Sequence, residues 1–300
     1  MKKWTKVSRI FCPENNFPWM KTHASNPVAD HLEGSIFRIY FSTRKEENIS
    51  SIAFVDIDLN DPTKILNISE KPVLEPGALG LFDDSGVSMA CILNYQGDKY
   101  LYYLGWNIMA KVPWHNSIGV AKQNKTTGEF EKMSLAPLLD RNDADPYSLS
   151  YPYVLEDGDV FRIYYGSNLS WGSEQKDMAH LMKYAQGNTP FEFNREGHIA
   201  LPFEADNEYA MSKPCVIKDD DSYKLWYSFR GESYRIGYAE SQDGVNWQRK
   251  DSEVGITVSD DGWDSQTVEY PFVFDHDGKR FMLYNGNSYG LTGFGLAYQE

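Results

Sequence analysis

The chain repeats itself. Five segments can be laid over one another: NPVADHLEGSIFRIYFS from Asn26, MACILNYQGDKYLYYLG from Met89, YPYVLEDGDVFRIYYGS from Tyr151, KPCVIKDDDSYKLWYSF from Lys213 and YPFVFDHDGKRFMLYNG from Tyr270. Pro27, Pro152, Pro214 and Pro271 share the second position, with Ala90 in that place in the second segment. Thirteen residues later stand Tyr40, Tyr103, Tyr165, Tyr227 and Tyr284. The anchors are 63, 62, 62 and 57 residues apart. A period of this length marks one supersecondary unit stacked on copies of itself, since a lone unit cannot bury its own apolar face.

The unit is a β unit. Proline lacks an N–H and belongs at the start or edge of a strand. The turns that follow (DHLEGS, NYQGDK, LEDGDV, KDDDS, DHDGK) carry the Asp, Gly and Asn of hairpins, with Asp219–Asp221 as a solvated turn. The second strands (IFRIYF, YLYYL, VFRIYY, YKLWYS, FMLYN) mix aromatic and β-branched residues, in a chain that is 15% aromatic. Third strands recur as SIAFVDI, SIGVAKQ, LMKYAQ, RIGYAES and FGLAYQ. Fourth strands are suggested by GEFEKM, FEFNREG and VNWQRKD, with the weaker ILNIS in the first unit. Four antiparallel strands per unit make a propeller blade, so residues 1–300 are expected to form a single all-β domain, a five-bladed β-propeller. The fifth unit lacks a fourth strand of its own. KWTKVSR near Trp4 resembles NWQRK of the fourth unit and is expected to complete the last blade, hiding a sheet edge. A β-sandwich needs no such period.

Composition removes several classes. A formal net charge of −14 argues against nucleic acid and anionic membranes as partners. Cys12, Cys91 and Cys215 are odd in number and form no C-x-x-C, so no disulfide framework or zinc site is expected. The N-terminus lacks an apolar signal region and no run is long enough for a membrane span, which makes a cytoplasmic location the default. The dinucleotide, P-loop, zincin and nucleophile-elbow signatures are missing, so neither a cofactor nor a metal is expected.

In such an array equivalent repeat positions face one axis, and residues far apart in sequence become neighbours. Entries to the first strands bring His23, Asn26, Asp83, Asp84, Glu208, Asp264, Glu269 and Tyr270. Loops after the second strands bring Arg44, Trp106, Arg230, Asn285 and Asn287, with Arg235 just beyond. His23 is the only histidine expected at the mouth, while His31, His115, His180, His198 and His276 read as turn or surface residues. Aromatic faces stack on sugar rings, carboxylates and amides bond to hydroxyls, and two carboxyls can divide acid and base roles.

The five-unit pattern, with GYAESQDGVNWQRK (Gly237 to Lys250), resembles the five-bladed propeller glycosidases of families 32, 43, 62, 68 and 130. GLFDDSGV, YLGW, YRIGYAES and YNGNSYGLTGFGLA resemble motifs of glycosidase-like proteins associated with bacterial surface-polysaccharide gene clusters. The resemblance implies a carbohydrate or sugar-nucleotide substrate. It also implies a base or nucleophile Asp just before the first Pro, where this chain has Asn26, and an acid Glu two residues before a Pro, a spacing met by Glu269 in VEYP but in the fifth unit. Three functions are therefore carried forward. The first is a glycoside hydrolase-like enzyme with Glu269 as acid, Asp84 as base and Glu208 as the further catalytic candidate. The second is a transferase or phosphorylase acting on a phosphorylated sugar or sugar nucleotide, with Arg44, Arg230 and Arg235 on phosphate. The third is a non-catalytic glycan-binding propeller. The oligomeric state stays open.

Overall fold

The computed structural model describes residues 3–174, 177–219 and 222–299; Asp220 and Asp221 of the acidic turn lie outside them. Among the described residues the chain is all-β. Strands β2 (Thr22–Glu33), β3 (Ile36–Arg44), β4 (Ser50–Asp58) and β5 (Asp61–Ile68) form one antiparallel group. The second group is β6 (Gly86–Tyr95), β7 (Asp98–Ile108), β8 (Trp114–Gln123) and β9 (Phe130–Lys132). The third is β10 (Leu149–Asp157), β11 (Val160–Asn168), β12 (His180–Thr189) and β13 (Glu192–Leu201). The fourth is β14 (Ala210–Asp219), β15 (Ser222–Arg230), β16 (Tyr234–Ser241) and β17 (Gln248–Arg249). In the fifth, β18 (Glu269–His276), β19 (Lys279–Asn285) and β20 (Phe294–Gln299) are joined by β1 (Thr5–Phe11), which pairs antiparallel with β20. Single parallel bridges, Ser50 to Gly86 and His180 to Ala210, link the first group to the second and the third to the fourth.

Each first strand packs against the next: β2 on β6, β6 on β10, β10 on β14, β14 on β18, and β18 on β2. Apolar clusters fill the junctions. Phe11, Phe41 and Phe294 sit between the fifth and first groups, Tyr40, Val87 and Leu101 between the first and second, and Tyr102, Phe161 and Ile163 between the second and third. Tyr164 and Leu225 join the third to the fourth, and Trp4, Trp226 and Met282 the fourth to the fifth.

The anchor tyrosines are buried, so their hydroxyls require partners. Tyr103 donates to Asp83 (3.2 Å), Tyr165 to Asp145 (2.9 Å), Tyr227 to Asp251 (2.7 Å) and Tyr284 to Asp264 (3.1 Å). Each of these aspartates also holds a cation: Lys132 on Asp83, Lys183 and Arg195 on Asp145, Arg249 on Asp251 and Lys6 on Asp264. The Tyr103 and Tyr227 rings press on glycines of the third strand, Gly119 and Gly237. A Cβ on Gly119 would stand 2.2 Å from the Tyr103 ring, so only glycine fits there. All three cysteines are free thiols. No helix of the described residues is long and apolar enough to cross a membrane.

Candidate functional site

The ladder between first and second strands skips at every anchor: between Ser25 and Val28, Met89 and Cys91, Ser150 and Tyr153, Ser212 and Cys215, and Glu269 and Phe272. The prolines therefore lie at bulges within the first strands rather than at their starts or edges. A missing N–H costs nothing there, and the bulge re-aims a side chain. Asn26, Lys213 and Tyr270, each just before a proline, take left-handed φ values of 56°, 53° and 55°. The bulged residues meet one another. Asn26 Nδ2 donates to the Tyr151 hydroxyl at 3.2 Å, the Tyr151 and Tyr270 rings lie 5.9 Å apart, and Lys213 Nζ donates to the Ala90 carbonyl at 2.6 Å.

Above this meeting point opens a cavity of about 510 Å³ to which all five groups contribute. Arg44 and Ser50 come from the first group, and Ser88, Trp106, Trp114 and Asn116 from the second. The third supplies Ser150, Tyr151, Asn168 and His180; the fourth Tyr209, Ser212, Arg230 and Tyr234; the fifth Tyr270 and Tyr289. Two other hollows each draw on only two neighbouring groups. Trp106 Nε1 donates to Ser50 Oγ at 3.0 Å, which fixes its ring. The Arg230 guanidinium lies 5.5 Å from the Tyr209 ring, 5.3 Å from that of Tyr234 and 5.9 Å from that of Tyr289, and donates to the Tyr289 hydroxyl. Among the described residues the lining thus offers aromatic faces, hydroxyls, amides, an imidazole and two guanidiniums, and no carboxylate.

One carboxyl lies just behind it. Glu269 is 1% exposed; its Oε1 accepts the Tyr289 N–H at 2.9 Å and the Thr267 hydroxyl at 3.2 Å, while Oε2 is buried with no partner among the described residues. Burial pushes this carboxyl from 4.5 up to about 8, against the pull of those two donors and of Arg230. It is therefore mostly protonated at neutral pH. The segment that it holds is strained, with φ of 58° at Ser288 and 59° at Tyr289.

The other two acids expected to catalyse are not at the cavity. Asp84 closes its own turn, accepting from Gly80 N at 2.9 Å and from Ser85 Oγ and Asn107 Nδ2 at 2.8 Å each. Glu208 is held by Arg249 through contacts of 2.7 and 2.9 Å. Several expected substrate contacts also have structural partners instead. Asp83 and Asp264 are the buried tyrosine acceptors described above. Asn285 accepts the Asn26 N–H at 2.8 Å and donates to the Ala24 and Gly293 carbonyls at 2.6 and 2.9 Å. Asn287 accepts from Gln266 N at 2.8 Å and Thr267 N at 3.0 Å. Arg235 donates to the Tyr234 and Gln266 carbonyls at 2.7 and 2.9 Å. His23 does not line the cavity; burial, and then the Arg44 charge, push its imidazole down to about 4. Asn26 lies one layer below, against Tyr151. Arg44, Trp106, Arg230 and Tyr270 are the expected residues that do line it.

Four tyrosines and one histidine of the lining lie outside the expected set, as do Ser50, Trp114, Asn116 and Ser150. Tyr151 occupies the repeat position of Tyr270 and was legible on that ground. Tyr209, Tyr234 and Tyr289 flank the fourth and fifth groups without a repeat signal. His180, read as a turn or surface residue, opens β12 and lines the cavity.

No family model matches the chain. It is 45% identical over 297 residues, 99% of each chain, to Uncharacterized protein MT1551 of Mycobacterium tuberculosis (strain CDC 1551 / Oshkosh). It is 44% identical, again over 99% of each, to Uncharacterized protein Rv1502 of M. tuberculosis (strain ATCC 25618 / H37Rv). Among solved structures it superposes on one named "Glycoside hydrolase" with TM-score 0.75 at 17% identity, covering 99% of this chain and 91% of that one. The catalytic domain of the Coprinopsis cinerea GH62 alpha-L-arabinofuranosidase gives TM-score 0.72 at 14% identity, covering 99% and 97%. These likenesses show a shared fold. Full-length identity well above that level makes the chain a member of one protein family with the two mycobacterial proteins, on the fold of the propeller glycoside hydrolases.

Proposed function

We propose that the five strand groups are the blades of a single five-bladed propeller and that the central cavity binds an anionic carbohydrate, a sugar phosphate or sugar nucleotide, for group transfer. The observation that carries this reading is the lining itself: Arg44 and Arg230 face a cavity whose described lining has no carboxylate, in a chain of net charge −14. Hydrolysis of a glycosidic bond by the usual route needs two carboxyls flanking the bond. Here Glu269 is a single, mostly protonated one behind the lining. Guanidiniums suit phosphate, which they can grip through paired N–H groups, and Trp106 with the tyrosines offers faces for a sugar ring. The glycosidase fold of the structural neighbours supports a carbohydrate ligand.

The test is thermal shift with glucose 1-phosphate and UDP-glucose beside glucose and arabinose, on the wild type and on Arg44→Gln and Arg230→Gln. Anionic sugars should raise Tm and both variants should lose most of the shift. Equal stabilisation by neutral sugars, or none by anionic ones, would refute the proposal. Aryl-glycoside hydrolysis abolished by Asp84→Asn would restore the two-carboxylate hydrolase.

A further inference from the structure

A transfer reaction to a hydroxyl needs a proton acceptor, and among the described residues the lining holds no carboxylate to serve as one. Among the described lining residues His180 supplies the one imidazole. Its place is fixed by the backbone: it opens β12 opposite Asn168, and its N–H donates to the Tyr209 carbonyl at 2.9 Å. Its ring is fixed as well. Nδ1 lies 3.2 Å from the Met178 carbonyl, which can only accept, so Nδ1 carries the proton and Nε2 is the bare, basic nitrogen. Among the described residues no hydrogen-bond partner meets Nε2, and the side chain is only partly buried.

The geometry points to His180 Nε2 as the general base that accepts the proton of a hydroxyl acceptor, which makes the bound pair an anionic sugar donor and an alcohol. This rests on the proposed function above. Burial lowers the pKa of this imidazole, with the Met178 carbonyl acting against it, which favours the neutral ring that the role requires. The step balances. The acceptor oxygen bonds to the electrophilic carbon or phosphorus of the donor and its proton passes to Nε2. The bond to the leaving phosphate oxygen breaks with its electron pair, and the new negative charge falls to Arg44 and Arg230. The proton on Nε2 then returns to solvent.

Two measurements test the base and the binding reading separately. Diethyl pyrocarbonate acylates bare imidazole nitrogens. On the full-length protein at pH 6.5, peptide mass spectrometry should find His180 modified, and 10 mM glucose 1-phosphate should protect it. Next, His180→Gln is compared with the wild type for the Tm shift caused by glucose 1-phosphate or UDP-glucose, and for phosphate or UDP release with water or 1 M methanol as the acceptor. The variant should keep the shift and lose turnover on the order of 10²-fold, with partial rescue by 50 mM imidazole. Unchanged turnover in His180→Gln, or a wild-type His180 inert to the reagent, overturns the base assignment. A wild type that neither donor stabilises overturns the binding reading instead. If neither donor turns over, the acylation result alone decides for or against His180.

Discussion

Lys213 gives the sharpest quantitative test of the convergent centre. Its side chain is fully buried, its Nζ donates to the Ala90 carbonyl, and the Phe272 ring is 5.9 Å away. One acceptor for three ammonium donors is poor compensation, and burial draws the amine from 10.5 down to about 8. At about 1.4 kcal/mol for each tenfold change, this displacement costs the folded state about 3 kcal/mol at pH 7. The sign follows from proton counting. Between 8 and 10.5 the unfolded chain holds the proton that the folded chain has lost, so this contribution to stability improves as pH rises through that window. Below 8 both states are protonated and the penalty is constant. Lys213→Met keeps the length and removes the charge, but leaves the Ala90 carbonyl without its donor, an offset of about 1–2 kcal/mol. The variant should therefore be about 1–2 kcal/mol more stable than the wild type at pH 7, and this advantage should vanish or reverse by pH 10. Urea unfolding followed by tryptophan fluorescence at pH 7, 8, 9 and 10 on both proteins isolates the lysine, because the other titrating groups cancel in the difference. A difference independent of pH, or a Lys213→Met protein less stable by several kcal/mol at pH 7, would refute the burial argument.

Other predictions bear on the frame and on the acid behind the cavity. Deleting residues 1–10 removes β1 and the buried Trp4, bares β20 and should lower Tm strongly; Trp4→Ala alone should cost about 3–5 kcal/mol in urea unfolding. Asp145→Ala leaves Lys183 and Arg195 buried without their shared partner and should cost about 3–5 kcal/mol by the same assay. Glu269 binds its proton more tightly folded than unfolded, so wild-type stability attributable to it falls as pH rises from 4.5 to about 8. Glu269→Gln does not titrate, and its Tm relative to the wild type should climb from pH 5 to pH 8; a constant gap would mean that the carboxyl is not held protonated.

The repeat was readable because proline and tyrosine each answer a local physical demand that recurs: a bulge without an N–H and a buried hydroxyl needing an acceptor. Tyr270, Arg230, Arg44 and Trp106 were readable because repeat position fixes where a strand end points. Side-chain partners were not readable. Asp83 and Asp264 stand twenty residues before their tyrosines, a regular spacing also met by Asp145, yet only the coordinates reveal that a lysine closes each pair. Asp84 and Glu208 share a repeat position but each folds back on the N–H four residues earlier, that of Gly80 or Glu204, and is held by a more distant side chain, Asn107 in one case and Arg249 in the other. His180 escaped because it opens a third strand, where a sequence shows a polar residue after a loop and nothing of the carbonyl that fixes its ring.

The seam between β1 and β20 sets the order in which this protein can be completed. Along the chain β1 precedes, and β20 follows, the other eighteen strands. During synthesis β1 must therefore wait for its β20 partner until the eighteen strands between them have been made. Groups one to four can assemble from strands close in sequence as they emerge, whereas the fifth closes only by pairing strands about 290 residues apart, the slowest kind of contact to form. Slowing translation should prolong this open interval without altering the finished molecule.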